Sequence, residues 1–161
     1  MLQWMEECGL WEYTKTDFYE QYEFSLLGAP LPAQLRCLVG QEYLAAIAQW
    51  LSSFLGAPRV ELVDVVAHLM IEGQGIGIHN DYRTGGETHR LLIQLGRGVT
   101  GGVTAILRSH VRDSVRRLLR PMHNTALAMG ISDRSFHAVT TVQSGRRFTL
   151  VYSFKPSCGR L

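Results

Sequence analysis

The spacing of hydrophobic residues changes twice along the chain and predicts three kinds of structure. Residues 1–31 carry seven aromatic side chains among acidic ones, without a clear period. From Pro32 to Leu55, hydrophobic residues recur every three or four positions, which predicts helices, and Gly40 is expected to separate two of them. From Val60 onward, short β-prone runs alternate with glycines and predict strands.

The glycine-punctuated second half favours a jelly roll, because several short strands separated by turn signals are typical of a sandwich or barrel. The expected fold is mainly β with N-terminal helices, a cupin-like double-stranded β-helix. The expected strands cover residues 65–71, 75–79, 91–95, 103–107, 124–129, 137–142 and 147–154. Residues 111–119 fit either a short basic helix or another strand.

The length of 161 residues suits one domain. In this single domain, residues 1–161, we expect an N-terminal aromatic segment and helices over 1–59 and a jelly-roll core over 60–155. Two interpretations of the aromatic residues stay open. They belong either to an irregular segment packed on the core or to the aromatic wall of a substrate pocket.

The net charge of +2 is too small to imply nucleic acid or an anionic membrane as a partner. Five arginines from Arg108 to Arg120 form a basic cluster, which we interpret as a solvated face. The scattered cysteines Cys8, Cys37 and Cys158 favour neither a disulfide framework nor a zinc knuckle. The start of the chain lacks a signal-peptide pattern and no apolar run reaches membrane-span length, so we expect a cytoplasmic protein.

His79 and Asp81 are two residues apart at the end of an expected strand, so their side chains point to the same face. About 0.2 such HxD triplets are expected by chance, so the triplet alone is a weak signal. His137 lies 58 residues later, on another expected strand. Two histidines and a carboxylate can bind iron and leave coordination positions open. They also serve zinc hydrolases, but the chain has no HExxH helix, which disfavours zinc.

Arg147 and Thr149 alternate with hydrophobic residues on the last expected strand, so they share one face. An arginine beside a hydroxyl inside a barrel can bind a carboxylate, with the guanidinium contacting it through two donors. A register shift of one residue would place Arg146 there instead, and Arg146 is therefore the alternative.

The order HxD, then histidine, then RxT, with glycines before the first motif, resembles the iron(II)- and 2-oxoglutarate-dependent dioxygenases. Within that superfamily it is most similar to the prolyl-hydroxylase-like branch, over roughly residues 32–155. The resemblance implies that His79, Asp81 and His137 bind Fe(II), and that Arg147 and Thr149 bind 2-oxoglutarate. It also implies O2 as co-substrate and ascorbate as an accessory reductant.

The activity implied by this resemblance is hydroxylation of an unactivated C–H bond. By analogy the substrate is an amino-acid side chain, either free or within a peptide or natural product. Asp81 argues against halogenation, since related halogenases lack that carboxylate, whereas desaturation and ring closure stay open. The alternative is a non-catalytic metal-binding jelly roll that acts as a sensor or assembly module.

The chain departs from the family pattern on the strand before HxD. Where many relatives have a tyrosine that binds the co-substrate carboxylate, the sequence reads Leu69-Met70, and Gln94 is the candidate replacement. Four residues near the metal motif are candidates for contact with a small-molecule or peptide substrate. They are Tyr82, Arg83, His89 and Arg90. The remaining histidines, His68, His110 and His123, have no ligand spacing.

Overall fold

The computed structural model describes residues 1–56 and 59–157, so Cys158 lies outside the described residues. The helices are α1 (Leu2–Glu7) and α2 (Gln41–Leu55), with 3-10 helices at Ala33–Val39 and Arg112–Ser114. The strands are β1 (Glu12–Lys15), β2 (Glu20–Ser25), β3 (Val60–Met70), β4 (Ile76–His79), β5 (His89–Gln94), β6 (Thr100–Gly101), β7 (Thr104–Leu107), β8 (Val115–Leu119), β9 (Thr125–Gly130), β10 (His137–Val139), β11 (Val142–Ser144) and β12 (Arg147–Pro156). Among the described residues, no helix has the length and apolar character needed to cross a membrane.

Two antiparallel sheets form the body of the fold. The larger sheet has the strand order β1-β2-β3-β12-β5-β9, the smaller one has the order β4-β10-β7-β8, and β6 pairs with β11 separately. Strands that are distant in sequence are therefore neighbours in each sheet, as in a jelly roll. The structure confirms the expected mainly β jelly roll with N-terminal helices.

Helix α2 packs on the outer face of the larger sheet. Its residues Ile47 and Leu51 are buried in the same hydrophobic cluster as Val65 and Phe148. The helix ends at Gly56, whose left-handed backbone (φ 63°) lets its N–H donate to the carbonyl of Ser52. The expected pair of helices is confirmed in outline, but the first, Ala33–Val39, is a 3-10 helix.

Strand β12 lies in the middle of the larger sheet and pairs along its length with β3, and over six residues with β5. Its even-numbered residues from Phe148 to Phe154 face the hydrophobic cluster beneath the helices. The opposite face carries Arg147, Thr149 and Val151, which line a cavity between the two sheets. The register expected from the alternation is therefore the observed one.

The interpretation of residues 1–31 as irregular is wrong. They contain a short helix and the β1–β2 hairpin, which extends the larger sheet because Glu23 of β2 pairs with His68 of β3. Residues 111–119 also resolve into a 3-10 turn followed by strand β8, which pairs with β7 rather than forming a helix. In both segments, pairing with a neighbouring strand decides the conformation that local sequence left open.

Candidate active site

His79, Asp81 and His137, hereafter the triad, come together at the mouth of the barrel. His79 ends β4, and His137 begins β10 directly opposite it in the smaller sheet. One ligand atom from each of the three residues lies within 4.8 Å of those of the others. Asp81 Oδ2 lies 3.2 Å from His137 Nε2, and Asp81 Oδ1 lies 3.5 Å from His79 Nε2. The structure therefore brings the three expected metal ligands together.

Hydrogen bonds orient both imidazoles of the triad towards a common point. The Nδ1 atoms of His79 and His137 each lie 2.9 Å from a backbone carbonyl, that of Gly77 and of Ser135 respectively. A carbonyl can only accept, so each Nδ1 carries the proton, and in the neutral ring Nε2 keeps its lone pair. Two such nitrogens and a carboxylate facing one another repel unless a cation lies between them. The donor set consequently fits a divalent metal ion.

Asp81 stays ionised despite its partial burial. Burial by itself would raise the pKa of the carboxyl, but the adjacent His137 imidazole and the positive charge of Arg90 outweigh it and hold the pKa well below its usual range. Arg90 Nη1 lies 2.6 Å from Asp81 Oδ2, and the same guanidinium also contacts Glu87. Burial and the neighbouring His137 lower the pKa of His79, which keeps that imidazole neutral and able to bind a metal.

Arg147 is the most deeply buried cation of the cavity, with 3% of its surface exposed. Its Nε donates to the carbonyl of Gly102 at 3.0 Å, and its Nη2 donates to Thr104 Oγ1 at 3.2 Å. Among the described residues no carboxylate lies within 4 Å of the guanidinium, as the ion pairs there all involve other groups. Burial lowers the pKa of Arg147 to about 10, so it stays charged at neutral pH. A buried positive charge without a counter-ion is suited to an anionic ligand.

Gly102 leaves the space that the Arg147 side chain occupies. Gly102 has a left-handed backbone (φ 58°), and a Cβ added there would lie 2.9 Å from Arg147 Cδ. Beside the arginine, Thr149 Oγ1 donates to Gln94 Oε1 at 3.1 Å. Gln94, expected as a replacement anchor, is thus buried next to Thr149. Arg146 is exposed and lies outside the cavity wall.

One cavity of about 200 Å³ joins the triad to Arg147 and Thr149. This is smaller than the ~300–1,000 Å³ of typical ligand pockets, so it suits a compact ligand and one end of a larger molecule. Apolar side chains from both sheets line much of the remaining wall. They are Ile76, Leu92, Met129, Val139 and Val151.

The candidates for substrate contact occupy different places. Arg90 lines the cavity. His89 points the other way, because it precedes Arg90 on β5, and its Nδ1 lies 2.8 Å from Thr88 Oγ1. Tyr82 and Arg83 are exposed on the loop after Asp81 and do not line the cavity.

Six further polar or aromatic residues line the cavity: Phe18, Tyr19, Gln21, Glu23, His68 and Thr104. Of these, sequence reasoning offered only Phe18 and Tyr19, as part of an aromatic pocket wall. Burial, followed by the charges of Arg90 and Arg147, lowers the pKa of His68 to about 3, so its imidazole is neutral. In the sequence, only the concentration of aromatic residues before position 31 pointed to these cavity residues. It was the basis for interpreting the aromatic residues as the wall of a substrate pocket. That interpretation holds for Phe18 and Tyr19, whereas Trp4 and Trp11 pack against the hydrophobic core.

Comparison with known proteins finds similarity in structure only. No protein-family model matches this chain, and no curated protein matches its sequence. A 2OG-Fe(II) oxygenase family oxidoreductase from Burkholderia pseudomallei superimposes with a TM-score of 0.73 at 20% identity, over 98% of this chain and 80% of that one.

Two prolyl hydroxylase structures are also similar. One, from Trichoplax adhaerens in complex with a hypoxia inducible factor oxygen degradation domain peptide fragment, has a TM-score of 0.72 at 14% identity, over 93% of this chain and 72% of that one. A Pseudomonas putida prolyl-4-hydroxylase has a TM-score of 0.69 at 16% identity, over 97% of this chain and 83% of that one. The fold resemblance expected from the HxD, histidine and RxT motifs is confirmed.

Proposed function

We propose that this protein is an Fe(II)- and 2-oxoglutarate-dependent oxygenase that hydroxylates an unactivated C–H bond. One observation carries the proposal. A His-Asp-His triad and a buried arginine, which has no carboxylate partner among the described residues, line the same small cavity. A non-catalytic metal-binding module requires the triad, but it has no need for a buried cation beside it. The similar oxygenase and prolyl hydroxylase structures share the fold that supports this arrangement.

The triad would hold the metal through His79 Nε2, His137 Nε2 and Asp81. Bound Fe(II) and 2-oxoglutarate together supply the activation of O2, with oxidative decarboxylation of 2-oxoglutarate to succinate. Arg90 acts as a positioning residue, because its contact with Asp81 Oδ2 fixes the orientation of that carboxylate. The backbone acceptors of Gly77 and Ser135 do the same for the two imidazoles.

Arg147 would bind the far carboxylate of 2-oxoglutarate. Its Nε and one terminal nitrogen are already held by Gly102 and Thr104, so the guanidinium is fixed before the ligand arrives. Thr149 lies at the same end of the cavity, where its hydroxyl now donates to Gln94 and would turn its single proton to the carboxylate when the ligand binds. The apolar side chains on the remaining wall exclude water from the reacting centre.

The substrate we favour is an amino-acid side chain, either free or within a peptide. The Trichoplax adhaerens prolyl hydroxylase was determined with a peptide fragment, which supports a peptide as one form of substrate. The small cavity volume supports entry of one side chain rather than of a whole peptide.

Turnover under 18O2 gas would test the function. The protein, loaded with Fe(II), is incubated with 2-oxoglutarate, ascorbate and a panel of amino acids and short peptides, and succinate and products are measured by mass spectrometry. We expect succinate formation coupled to a product that gains one labelled oxygen, and neither in His79→Ala. Tight metal binding without succinate above the His79→Ala level would instead support the sensor or assembly module.

A further inference from the structure

The β1–β2 hairpin closes one side of the cavity by linking the two sheets. Its strand β2 extends the larger sheet, while Tyr19, immediately before β2, forms a β-bridge with Ile76, the first residue of β4 in the smaller sheet. The N–H of Gly77 donates to the carbonyl of Phe18 at 2.5 Å, and the Phe18 ring lies 4.8 Å from the His79 ring. The hairpin therefore faces the metal site directly.

Gln21 of this hairpin has an unusual deficit of hydrogen bonds. It is 4% exposed and lines the cavity, and its Oε1 atom has no hydrogen-bond partner among the residues that the structure describes. The orientation of the amide is fixed by chemistry, because its other atom lies 2.7 Å from Glu23 Oε2 and a carboxylate oxygen can only accept. Oε1 is thus a buried acceptor that lacks a donor, which is costly without a ligand.

Glu23 adds a negative charge on the same face of β2. Its carboxylate accepts hydrogen bonds from Thr14 and Gln21, but among the described residues no lysine or arginine lies within 4 Å of it. The nearest basic group is His68, whose Nε2 lies 3.7 Å away and which is neutral at physiological pH. Glu23 thus lines the cavity without a cationic partner.

The cavity consequently has one cationic side and one acceptor side. Arg90 and Arg147 lie on the neighbouring strands β5 and β12 of the larger sheet, and Gln21 and Glu23 lie on its hairpin. An acidic co-substrate at Arg147 leaves the acceptor side for a different ligand. Resting on the proposed function, we propose that Gln21 and Glu23 bind an ammonium group of the substrate, which makes a free amino acid or another primary amine the substrate class. These two residues would then determine specificity without contacting the metal.

Binding of simple probes to the metal-free protein tests this assignment without requiring any turnover. Butylammonium and its neutral counterpart butan-1-ol are titrated while 15N-labelled backbone amides of β2 and β3 are followed by NMR. We expect butylammonium to bind at least tenfold more tightly than butan-1-ol. Glu23→Gln should abolish that difference, and Gln21→Met, which keeps the side-chain length but removes the acceptor, should reduce it.

Glu61→Gln is the matched control, since Glu61 lies on β3 remote from the cavity and pairs with Lys155. It should leave the preference unchanged. Equal binding of the two probes, no binding of butylammonium, or full preference in both hairpin variants would overturn the proposal. Glu23→Gln is also checked for a native thermal transition, and Gln21→Met provides the test if that variant does not fold.

Turnover separates this proposal from the function on which it rests. In the Fe(II)-loaded protein, free amino acids should yield succinate with a lower KM than their N-acetyl derivatives, and Glu23→Gln should raise that KM at least tenfold. If the ammonium preference is present but no substrate yields succinate, the oxygenase function fails and the binding site stands. If N-acetyl derivatives are the better substrates, the oxygenase stands and the ammonium site fails.

Discussion

Replacement of Arg147 by alanine should remove most of the affinity for 2-oxoglutarate. The guanidinium is buried and has no carboxylate partner among the described residues, so the ligand's far carboxylate would be its first counter-ion. Losing one partner of such a buried charge pair costs about 2–5 kcal/mol. At about 1.4 kcal/mol for each factor of ten, that is roughly a 30- to 4,000-fold rise in Kd.

Although loss of Arg147 should weaken ligand binding, it should not lower the free energy of unfolding. Removing an unpaired buried charge also removes its desolvation cost, so Arg147→Met should leave the ligand-free protein at least as stable as the wild type. A simple unfolding defect would lower both stability and affinity. The pair of measurements therefore distinguishes a lost contact from a damaged fold.

The assay is anaerobic calorimetry of the Fe(II)-loaded protein with 2-oxoglutarate and with 2-oxobutyrate, which lacks the far carboxylate. Arg147→Ala and Arg147→Met should both weaken 2-oxoglutarate binding strongly and 2-oxobutyrate binding little, while the exposed Arg146→Ala should change neither. Equal losses for both ligands, or a larger effect at Arg146, would refute the assignment of the carboxylate to Arg147.

Three further predictions concern the metal, the glycine turn and pH. His79→Ala should weaken Fe(II) binding by orders of magnitude in an anaerobic titration, whereas an unchanged Kd would exclude it as a ligand. Gly102→Ala should lower both Tm and 2-oxoglutarate affinity, because the new Cβ meets Arg147. Gly98→Ala is the control and should lower Tm alone, because Gly98 has a similar φ of 64° but open space around it. Stability of the metal-free protein should fall as pH drops from about 6.5 towards 3, because the unfolded chain then binds a proton that half-buried His68 does not, by at most about 1.4 kcal/mol per pH unit. Urea unfolding at several pH values should show that stability depends less steeply on pH in His68→Gln, and an identical dependence would contradict the neutral state of His68.

The strand containing Arg147 and Thr149 could be placed from the sequence because its signal is local. Polar and apolar residues alternate there with a period of two, so the choice of face follows from the pattern. For His79 and Asp81 the local signal was their two-residue spacing, although β4 ends at His79 and Asp81 lies just beyond it. Their convergence with His137, however, depends on two strands becoming neighbours across 58 residues, which the motif order indicated only through its resemblance to a known family.

The acceptor side of the cavity could not be predicted in the same way. Gln21 and Glu23 are polar residues on a short strand, and nothing in their spacing separates a cavity face from a solvent face. Their position follows from the pairing of β2 with β3, a contact between segments more than 40 residues apart. His68 was not predicted for the same reason. Its side chain lines the cavity only because β3 pairs with β2 and β12 in the folded sheet.

The two sheets differ in how firmly they hold their parts of the site. Strand β12 has ten residues and is flanked by partners on both sides, whereas β10 has three residues and its pairing with β4 shifts register after His137. Backbone amides of β12 should therefore exchange with solvent deuterium only on near-complete unfolding, and those of β4 and β10 through local opening. Under the proposed function, metal uptake and loss would then be local events in a short sheet, while Arg147, the proposed residue for the acidic ligand, would stay in place on the most protected strand.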